Sequence, residues 1–367
     1  AAFIQASWCG LHLNLCRKRN SKKSIICDMR NSRFQNALNR VPQEIPPIWF
    51  MRQAGRYHDH YQNLKKSHTF VELCKSPVLS AQTALGPIEE FDFDVAILFS
   101  DILFPLESLG MDLIYDPGPI FKEHLSEENV SRILNNKNPI SSLEFQGEAI
   151  ERTMELLPSD KSMIGFIGGP WTLLSFASAR NKLDKIGKIE GYQWAILEEY
   201  IYPLLHKNIS LQLQAGAELV MIFDSCAHQL AKDDLSIYLN KILSELVKSF
   251  PNQVGYYAKD GVSYDDIFAA SDSFEVSFAG IGVDSNVRIQ DILAKRKDGF
   301  IQGNFSEKAI TQDFNEFDKA LNLFLEDISS LSIEDRKGWV CGLGHGVIKT
   351  TPQENVKHFV KKVRSYL

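Results

Sequence analysis

Two arginines, Arg52 and Arg56, follow an apolar run at residues 48–51. Guanidinium groups keep their charge at any working pH and bind carboxylates through paired hydrogen bonds. If the loop turned helical, a spacing of four residues would point both groups the same way. We therefore predict a site for an acidic ligand at this strand end. The alternative is two surface arginines that pair with local acids.

Asp101 and His345 are further candidates for chemistry. Apolar residues follow Asp101, and a carboxylate in such surroundings costs free energy unless it has a cationic partner. The alternative role for Ser100-Asp101 is to cap the next helix. His345 lies between two glycines, where it either carries protons, hydrogen-bonds a carboxylate or is a structural histidine.

The elements that must position these residues alternate along the chain. Strand-like apolar runs are separated by longer stretches with helical spacing, which implies a parallel sheet. About eight such units favour an α/β fold of the single-domain (β/α)8 TIM-type barrel over an open sheet. The predicted strands are 48–51, 95–99, 163–167, 219–223, 254–258, 274–283, 299–302 and 338–341, and the predicted helices include 67–85, 144–157, 192–215, 233–249, 307–325 and 352–366.

Polar residues and glycines recur after these strands. The carboxyl ends of the strands form the catalytic face of an α/β barrel. Turn chemistry accounts for Gly and Asn there, but not for recurring Arg, Asp and His. Besides the two arginines, the strand ends carry Ser100-Asp101, residues 168–172, Asp224-Ser225, Lys259-Asp260, Asp284, Gly303-Asn304 and Gly344-His345-Gly346.

The composition excludes several classes of protein. The chain has 367 residues, 44% of them hydrophobic and 23% charged, which is ordinary for a globular protein. A net charge of -6 gives no nucleic-acid footprint. No apolar run approaches the ~20 residues that a membrane helix needs. Six scattered cysteines without a CxxC pair indicate a reducing compartment.

Residues 1–30 differ from the rest because they are basic and hold no acid before Asp28. We interpret them as a transit peptide or a non-native extension, and residues 31–367 as the folded domain. The predicted location is cytoplasmic, or a plastid or other organelle if the leader is a transit peptide.

Several strings make the core similar to the uroporphyrinogen decarboxylase family. They are PIWFMRQAGRY, ELCKSP, AILFSDIL, GPIF, GFIGGPWTL, AGAELVMIFDS, YYAK, QGNF and GLGHGV, in order along the chain. The resemblance implies a single-domain barrel that forms a homodimer. It also implies cofactor-free decarboxylation of the four acetate side chains of uroporphyrinogen III, which gives coproporphyrinogen III and carbon dioxide.

The resemblance also implies roles for individual residues. Arg52 and Arg56 would bind substrate carboxylates, and Arg52 would take part in proton transfer. A guanidinium does not give up its proton readily in proteins, which favours binding over proton donation. Asp101 would lie under the macrocycle and accept hydrogen bonds from the pyrrole N–H groups. Ser225 and His345 would contact the substrate.

Four positions depart from the family pattern. The family's tyrosine falls on Phe176, which lacks the hydroxyl but is expected to pack against the macrocycle. The Gly-rich loop is replaced at 178–182, the LPEY string at 58–61, and an aspartate by Ser306. These departures motivate an alternative, a non-catalytic paralogue that binds a tetrapyrrole.

A second alternative is a zinc-dependent barrel that transfers methyl groups from corrinoids. Cys226-x-His228 and Cys341-x3-His345 offer four possible ligands near two strand ends. The spacing is loose, and a cysteine is more often a small buried hydrophobe. We therefore predict no metal.

Overall fold

A parallel sheet of seven strands organises the computed structural model, which describes residues 31–178, 188–259, 262–273 and 276–367. The strand order is β1-β4-β5-β6-β7-β8-β9, and a separate antiparallel hairpin contains β2 and β3. The strands are β1 Val95–Ile97, β2 Leu113–Tyr115, β3 Pro119–Phe121, β4 Ser162–Gly168, β5 Val220–Asp224, β6 Val254–Ala258, β7 Gly280–Gly282, β8 Phe300–Phe305 and β9 Trp339–Leu343.

The segment around Ile48 closes this sheet. Ile48 forms a parallel bridge with Cys341 of β9, whose N–H donates to the Pro47 carbonyl at 2.8 Å. On the other side, the Asp94 N–H donates to the Ile48 carbonyl at 3.0 Å, just before β1. The segment therefore lies between the two edge strands in the eighth position. The predicted (β/α)8 barrel is confirmed.

The strand sequences read as apolar runs because parallel strands are buried on both faces. All residues of β4 and of β6 are buried. Seven of the eight predicted strands coincide with an observed strand or with the closing segment, within a few residues at either end. For the predicted strand 274–283, only Gly280–Gly282 is a strand, and residues 274 and 275 lie outside the described residues.

Helices follow the strands and cover the outside of the sheet. They are α1 Ser32–Leu38, α2 Asp59–Lys65, α3 Phe70–Lys75, α4 Pro77–Phe91, α5 Phe104–Leu109, α6 Val130–Ile133, α7 Glu144–Leu156, α8 Pro170–Ala177, α9 Gly191–Ile196, α10 Tyr202–Gln214, α11 Lys232–Tyr238, α12 Ser244–Ser249, α13 Tyr264–Ser273, α14 Ile289–Lys295, α15 Phe314–Ser329 and α16 Gln353–Tyr366. The π-helical turns Leu197–Ile201 and Leu239–Leu243 join α9 to α10 and α11 to α12.

Two helix predictions were wrong at their boundaries. The predicted helix 67–85 is split into α3 and α4, because Ser76 caps a new helix that begins at Pro77. The predicted helix 307–325 starts only at Phe314. Its N-cap, Asp313, accepts hydrogen bonds from two backbone N–H groups of the first turn.

The β2–β3 hairpin was missing from the prediction. Its strands flank an Asp116-Pro117-Gly118 turn, a sequence signal typical of a hairpin. Ile114 pairs directly with Ile120 across it. The hairpin follows α5 and lies outside the barrel sheet.

Among the described residues, no helix combines the length and the apolar character that a membrane crossing requires. The proposed leader at 1–30 lies outside the described residues. The division between a leader and a single domain at 31–367 therefore stays a prediction.

Candidate active site

The loop that carries the two arginines is fastened by Gln53. This side chain is fully buried; its amide donates to the Val95 carbonyl at 2.9 Å and accepts from the Phe50 N–H at 3.3 Å. The Tyr57 hydroxyl donates to the Gln53 carbonyl at 2.8 Å. Residues 51–58 form turns instead of the helix on which the common direction of the two arginines depended. The loop is thus tied to β1 through one buried amide.

Arg52 adopts a left-handed backbone conformation with φ of 60°. Such a conformation costs an L-residue roughly 1–2 kcal/mol, so the loop contacts must hold it there. Its exposed side chain lies along Gly346, where a Cβ would be 2.5 Å from the Arg52 Cδ. Arg56 is also exposed, and its charge partly offsets the burial that raises the pKa of Tyr61.

Asp101 is half-buried just beyond β1, and burial raises the pKa of its carboxyl. The Leu103 N–H, the Tyr115 hydroxyl and the Arg52 charge partly offset this rise in pKa. The Leu103 N–H donates to the Asp101 Oδ1 at 2.8 Å, immediately before α5. The alternative prediction of a helix cap was wrong, because the N-cap of α5 is Leu103 and no side chain caps it. The Asp101 bond closes the turn before the helix and occupies only one of the two carboxylate oxygens.

His345 is half-buried after β9, next to the same arginine. Burial, and then the charge of Arg52, lower the pKa of its imidazole. The neutral form therefore dominates at neutral pH. The Tyr257 hydroxyl donates to the Gly344 carbonyl at 3.1 Å, and the Tyr257 ring meets the imidazole edge-on at 6.4 Å. These contacts set the turn that presents His345.

The structure thus brings Arg52, Asp101 and His345 together from three widely separated parts of the sequence. The arginine charge acts on the carboxyl and on the imidazole alike. One cation, one carboxylate with a free oxygen and one neutral imidazole can bind an acidic ligand and stabilise positive charge that develops on it.

Asp224 at the end of β5 has a different role. It is fully buried and accepts hydrogen bonds from the Thr172 N–H and hydroxyl at 3.1 and 2.6 Å. The Tyr238 and Tyr256 hydroxyls donate to it at 2.6 and 3.3 Å. These bonds tie β5 and β6 to α8 and α11, so Asp224 is a scaffold residue. Its neighbour Ser225 is half-buried beyond the strand end.

The aromatic residues divide into core and rim. Trp171 is fully buried and its Nε1 donates to Gln229 at 3.2 Å, so it is a core residue. Phe223 is half-buried and contacts the Tyr257 ring at 6.3 Å. Phe176 on α8 is half-buried against the core.

The four candidate zinc ligands are not gathered. Cys226 and Cys341 are buried, and burial raises the pKa of the Cys341 thiol well above its usual range. Cys341 lies in β9 near Asp94, whereas His345 follows that strand. Within the part of the chain that the structure describes, no three His, Cys, Asp or Glu side chains are placed to hold a metal ion.

The departures from the family pattern have structural roles where they are described. His58 is buried against Phe91, and burial lowers the pKa of its imidazole to about 4. His60 packs over Gly86, where a Cβ would lie 2.4 Å from the ring. The Ser306 hydroxyl accepts two backbone N–H bonds of the following turn. Residues 179–182 and Asp260 lie outside the described residues.

Sequence reasoning missed Gln53 and Tyr115. Gln53 stands inside the quoted arginine string, but nothing in its spacing separates a buried amide from an exposed one. Tyr115 lies in the β2–β3 hairpin. The Pro-Gly turn of that hairpin is a sequence signal from which the hairpin could have been predicted.

The fold and this cluster define a barrel enzyme with a cationic, carboxylate-bearing mouth. The family model described as uroporphyrinogen decarboxylase (URO-D) matches residues 29–366, and the chain belongs to this family. Proteins named uroporphyrinogen decarboxylase are 33% identical to it in Orientia tsutsugamushi (strain Ikeda) and 35% identical in Helicobacter acinonychis (strain Sheeba). The matches cover 91% and 90% of this chain and 98% of each relative.

A solved methyltransferase structure from Methanosarcina mazei has a similar fold. It superposes with a TM-score of 0.71 at 18% identity, over 92% of this chain and 98% of that one. This likeness supports the barrel and carries no conclusion about chemistry.

Proposed function

We propose that the protein decarboxylates the four acetate side chains of uroporphyrinogen III and releases coproporphyrinogen III and carbon dioxide. The single observation that carries the proposal is the convergence of Arg52, Asp101 and His345 at one barrel mouth. Family membership and the relatives' names support it. The protein is then a carboxy-lyase of tetrapyrrole biosynthesis.

Loss of carbon dioxide leaves carbanion character next to a pyrrole. Protonation of the electron-rich pyrrole turns the ring into the electron sink, so the reaction requires no cofactor. The Asp101 carboxylate would accept hydrogen bonds from the pyrrole N–H groups and stabilise the cation as it develops. One preorganised group of this kind is worth roughly 3–4 kcal/mol.

The remaining residues would bind the substrate's carboxylates and ring. Arg52 and Arg56 hold acetate arms through their planar guanidinium groups. Ser225 and His345 hydrogen-bond further carboxylates, and Phe176 packs against the macrocycle without a hydroxyl to donate. Proton donation by Arg52 is less favourable than binding, because a guanidinium does not give up its proton readily in proteins.

A homodimer and a cytoplasmic location are further parts of this proposal. Both follow from the resemblance to the family, and the location also follows from the scattered cysteines. Sedimentation of the purified protein tests the dimer.

The activity is tested by anaerobic incubation with uroporphyrinogen and a count of carboxyl groups in the oxidised products. We expect species with seven, six, five and four carboxyls in sequence. Asp101→Ala, purified in the same way, is the control for contaminating host enzyme and should leave the eight-carboxyl substrate intact. Recovery of only that substrate with the unmodified protein would replace the decarboxylase with a non-catalytic tetrapyrrole-binding protein.

A further inference from the structure

Tyr115 at the end of β2 lies beside the candidate carboxylate, Asp101. Its ring packs between Phe70 of α3 and Phe104 of α5, with ring centroids 5.1 and 6.0 Å away. The pairing of β2 with β3 sets the position of Tyr115 opposite Pro119. The hairpin and two helices therefore fix the ring, and the hydroxyl has little freedom to turn elsewhere.

The hydroxyl of Tyr115 is buried and lacks a well-formed hydrogen bond. Among the described residues, no group makes a hydrogen bond of ordinary geometry with it. A buried hydroxyl left in this state destabilises the fold, so its retention calls for a reason. The hydroxyl is nevertheless close enough to Asp101 to lower the pKa of that carboxyl, while the carboxylate raises the pKa of the phenol.

Asp101 has room for such a donor. Its Oδ1 accepts from the Leu103 N–H at 2.8 Å, and in the described chain this is its one hydrogen bond of ordinary geometry. The other titratable and charged groups around the pair come from the arginine loop and three helices: Arg52, Tyr61 and Lys65, Cys74 and Lys75, and Glu107.

The side chains that act on the Asp101 carboxyl are Arg52 and Tyr115, and of these two Tyr115 can donate a neutral, directional hydrogen bond from a fixed ring. Arg52 is exposed, and its side chain lies along Gly346. The Cys74 thiol is buried, and burial followed by Asp101 raises its pKa well above the usual range, so it stays protonated and is a weak donor.

We propose that Tyr115 is a positioning residue for decarboxylation: its hydroxyl donates to the ionised Asp101 and holds the free oxygen of that carboxylate toward the pyrrole N–H groups. This inference rests on the proposed function, since it assigns Tyr115 a role through Asp101. Tyr115 itself does not touch the reacting atoms.

The test is Tyr115→Phe, which keeps the ring and removes only the hydroxyl. Removal of the hydroxyl ends its own desolvation penalty but also loses its bond to the ionised Asp101, so the melting temperature should change little. Activity requires ionised Asp101, and loss of the donor raises the pKa of that carboxyl. The acid limb of the kcat profile should therefore move to higher pH, by about one unit, with roughly a tenfold drop in kcat and little change in KM.

Tyr264→Phe is the matched control. The Tyr264 hydroxyl also meets a strand-end carboxylate, donating to Asp284 at 2.8 Å and accepting from its N–H at 2.7 Å. Its removal breaks bonds that are already formed. We expect a lower melting temperature and an unmoved acid limb.

A second readout separates the inference from the proposed function. Titration of the Asp101 carboxyl by infrared difference spectroscopy, with Asp101→Asn to identify its band, reports its pKa without turnover. No turnover by the unmodified protein would refute the decarboxylase alone, while an upward shift of this band in Tyr115→Phe would still support the hydrogen bond. An unshifted band, or an unmoved acid limb in an active protein, would overturn the role of Tyr115.

Discussion

Asp101 and Asp224 both stand at the carboxyl end of a barrel strand, and in both burial raises the pKa of the carboxyl. Their partners differ. Asp224 accepts four hydrogen bonds from neutral donors and is fully buried. Within the described chain, Asp101 accepts one bond of ordinary geometry and is half-buried.

The difference separates a scaffold residue from a candidate catalytic one. A carboxylate whose lone pairs are all occupied has no capacity left for a ligand, but it ties its neighbours together. A desolvated carboxylate with a vacant oxygen is poorly satisfied until a ligand N–H arrives, and that is the condition for differential stabilisation of a transition state. Both aspartates lie at a strand end, but only the Asp224 carboxylate has its hydrogen-bonding capacity filled.

The largest expected effect is the loss of activity in Asp101→Asn. The amide can still accept from the Leu103 N–H, but it supplies no negative charge to the developing cation. We expect kcat to fall by about 10³-fold. The melting temperature should be unchanged or higher, because the fold already disfavours the ionised form of this carboxyl. Turnover close to that of the unmodified protein would remove Asp101 from the mechanism.

The corresponding change at the scaffold, Asp224→Asn, should act on stability. An amide NH2 would face donors from Thr172, Tyr238 and Tyr256. We expect the free energy of unfolding in urea to fall by about 3 kcal/mol, with kcat per folded molecule retained.

Tyr256→Phe serves as a scaled control because it removes only the longest of these bonds, at 3.3 Å. Its loss of stability should be the smaller of the two. A fall in kcat without a fall in stability for Asp224→Asn would erase the distinction between the two aspartates.

The smallest expected effect concerns Arg52, the cation beside Asp101. The hydrogen-bond donors to Asp224 are all neutral, so Asp224 has no corresponding partner among them. In Gly346→Ala the new Cβ would lie 2.5 Å from the Arg52 Cδ and force the guanidinium to shift. We expect about a tenfold loss of kcat/KM. Gly191→Ala, where a Cβ meets no atom within 4 Å, is the control and should keep full activity. Equal kcat/KM in both variants would show that the position of Arg52 is unimportant.

Much of the fold could be predicted because its signals are local. Buried parallel strands such as β4 are continuous apolar runs, and α16 begins at Gln353, one residue after the predicted start at 352. Helix boundaries were predicted wrongly where a single capping residue, Ser76 or Asp313, starts a helix inside a longer periodic pattern. The hairpin was not predicted because its strands are three residues long, which is too short to show an alternation of apolar and polar residues.

The sequence predicted which residues belong to the candidate site, but not how many hydrogen bonds each of them makes. Arg52, Asp101 and His345 could be named because Arg, Asp and His are unusual at strand ends. That Asp224, an equally suggestive residue, is saturated by tyrosines from β6 and α11 could not be read from its neighbours in sequence. Hydrogen-bond satisfaction depends on side chains that are distant along the chain.

The sequence by itself determined the alternation of strands and helices, and with it the barrel and the set of polar residues at its mouth, because hydrophobic periodicity is a local property. Tertiary structure alone decided which carboxylate has its hydrogen-bonding capacity filled, which arginine lies over Gly346, and that Tyr115 lies beside Asp101. Burial and hydrogen-bond partners arise only when distant segments meet, and they set the charge and reactivity of each group.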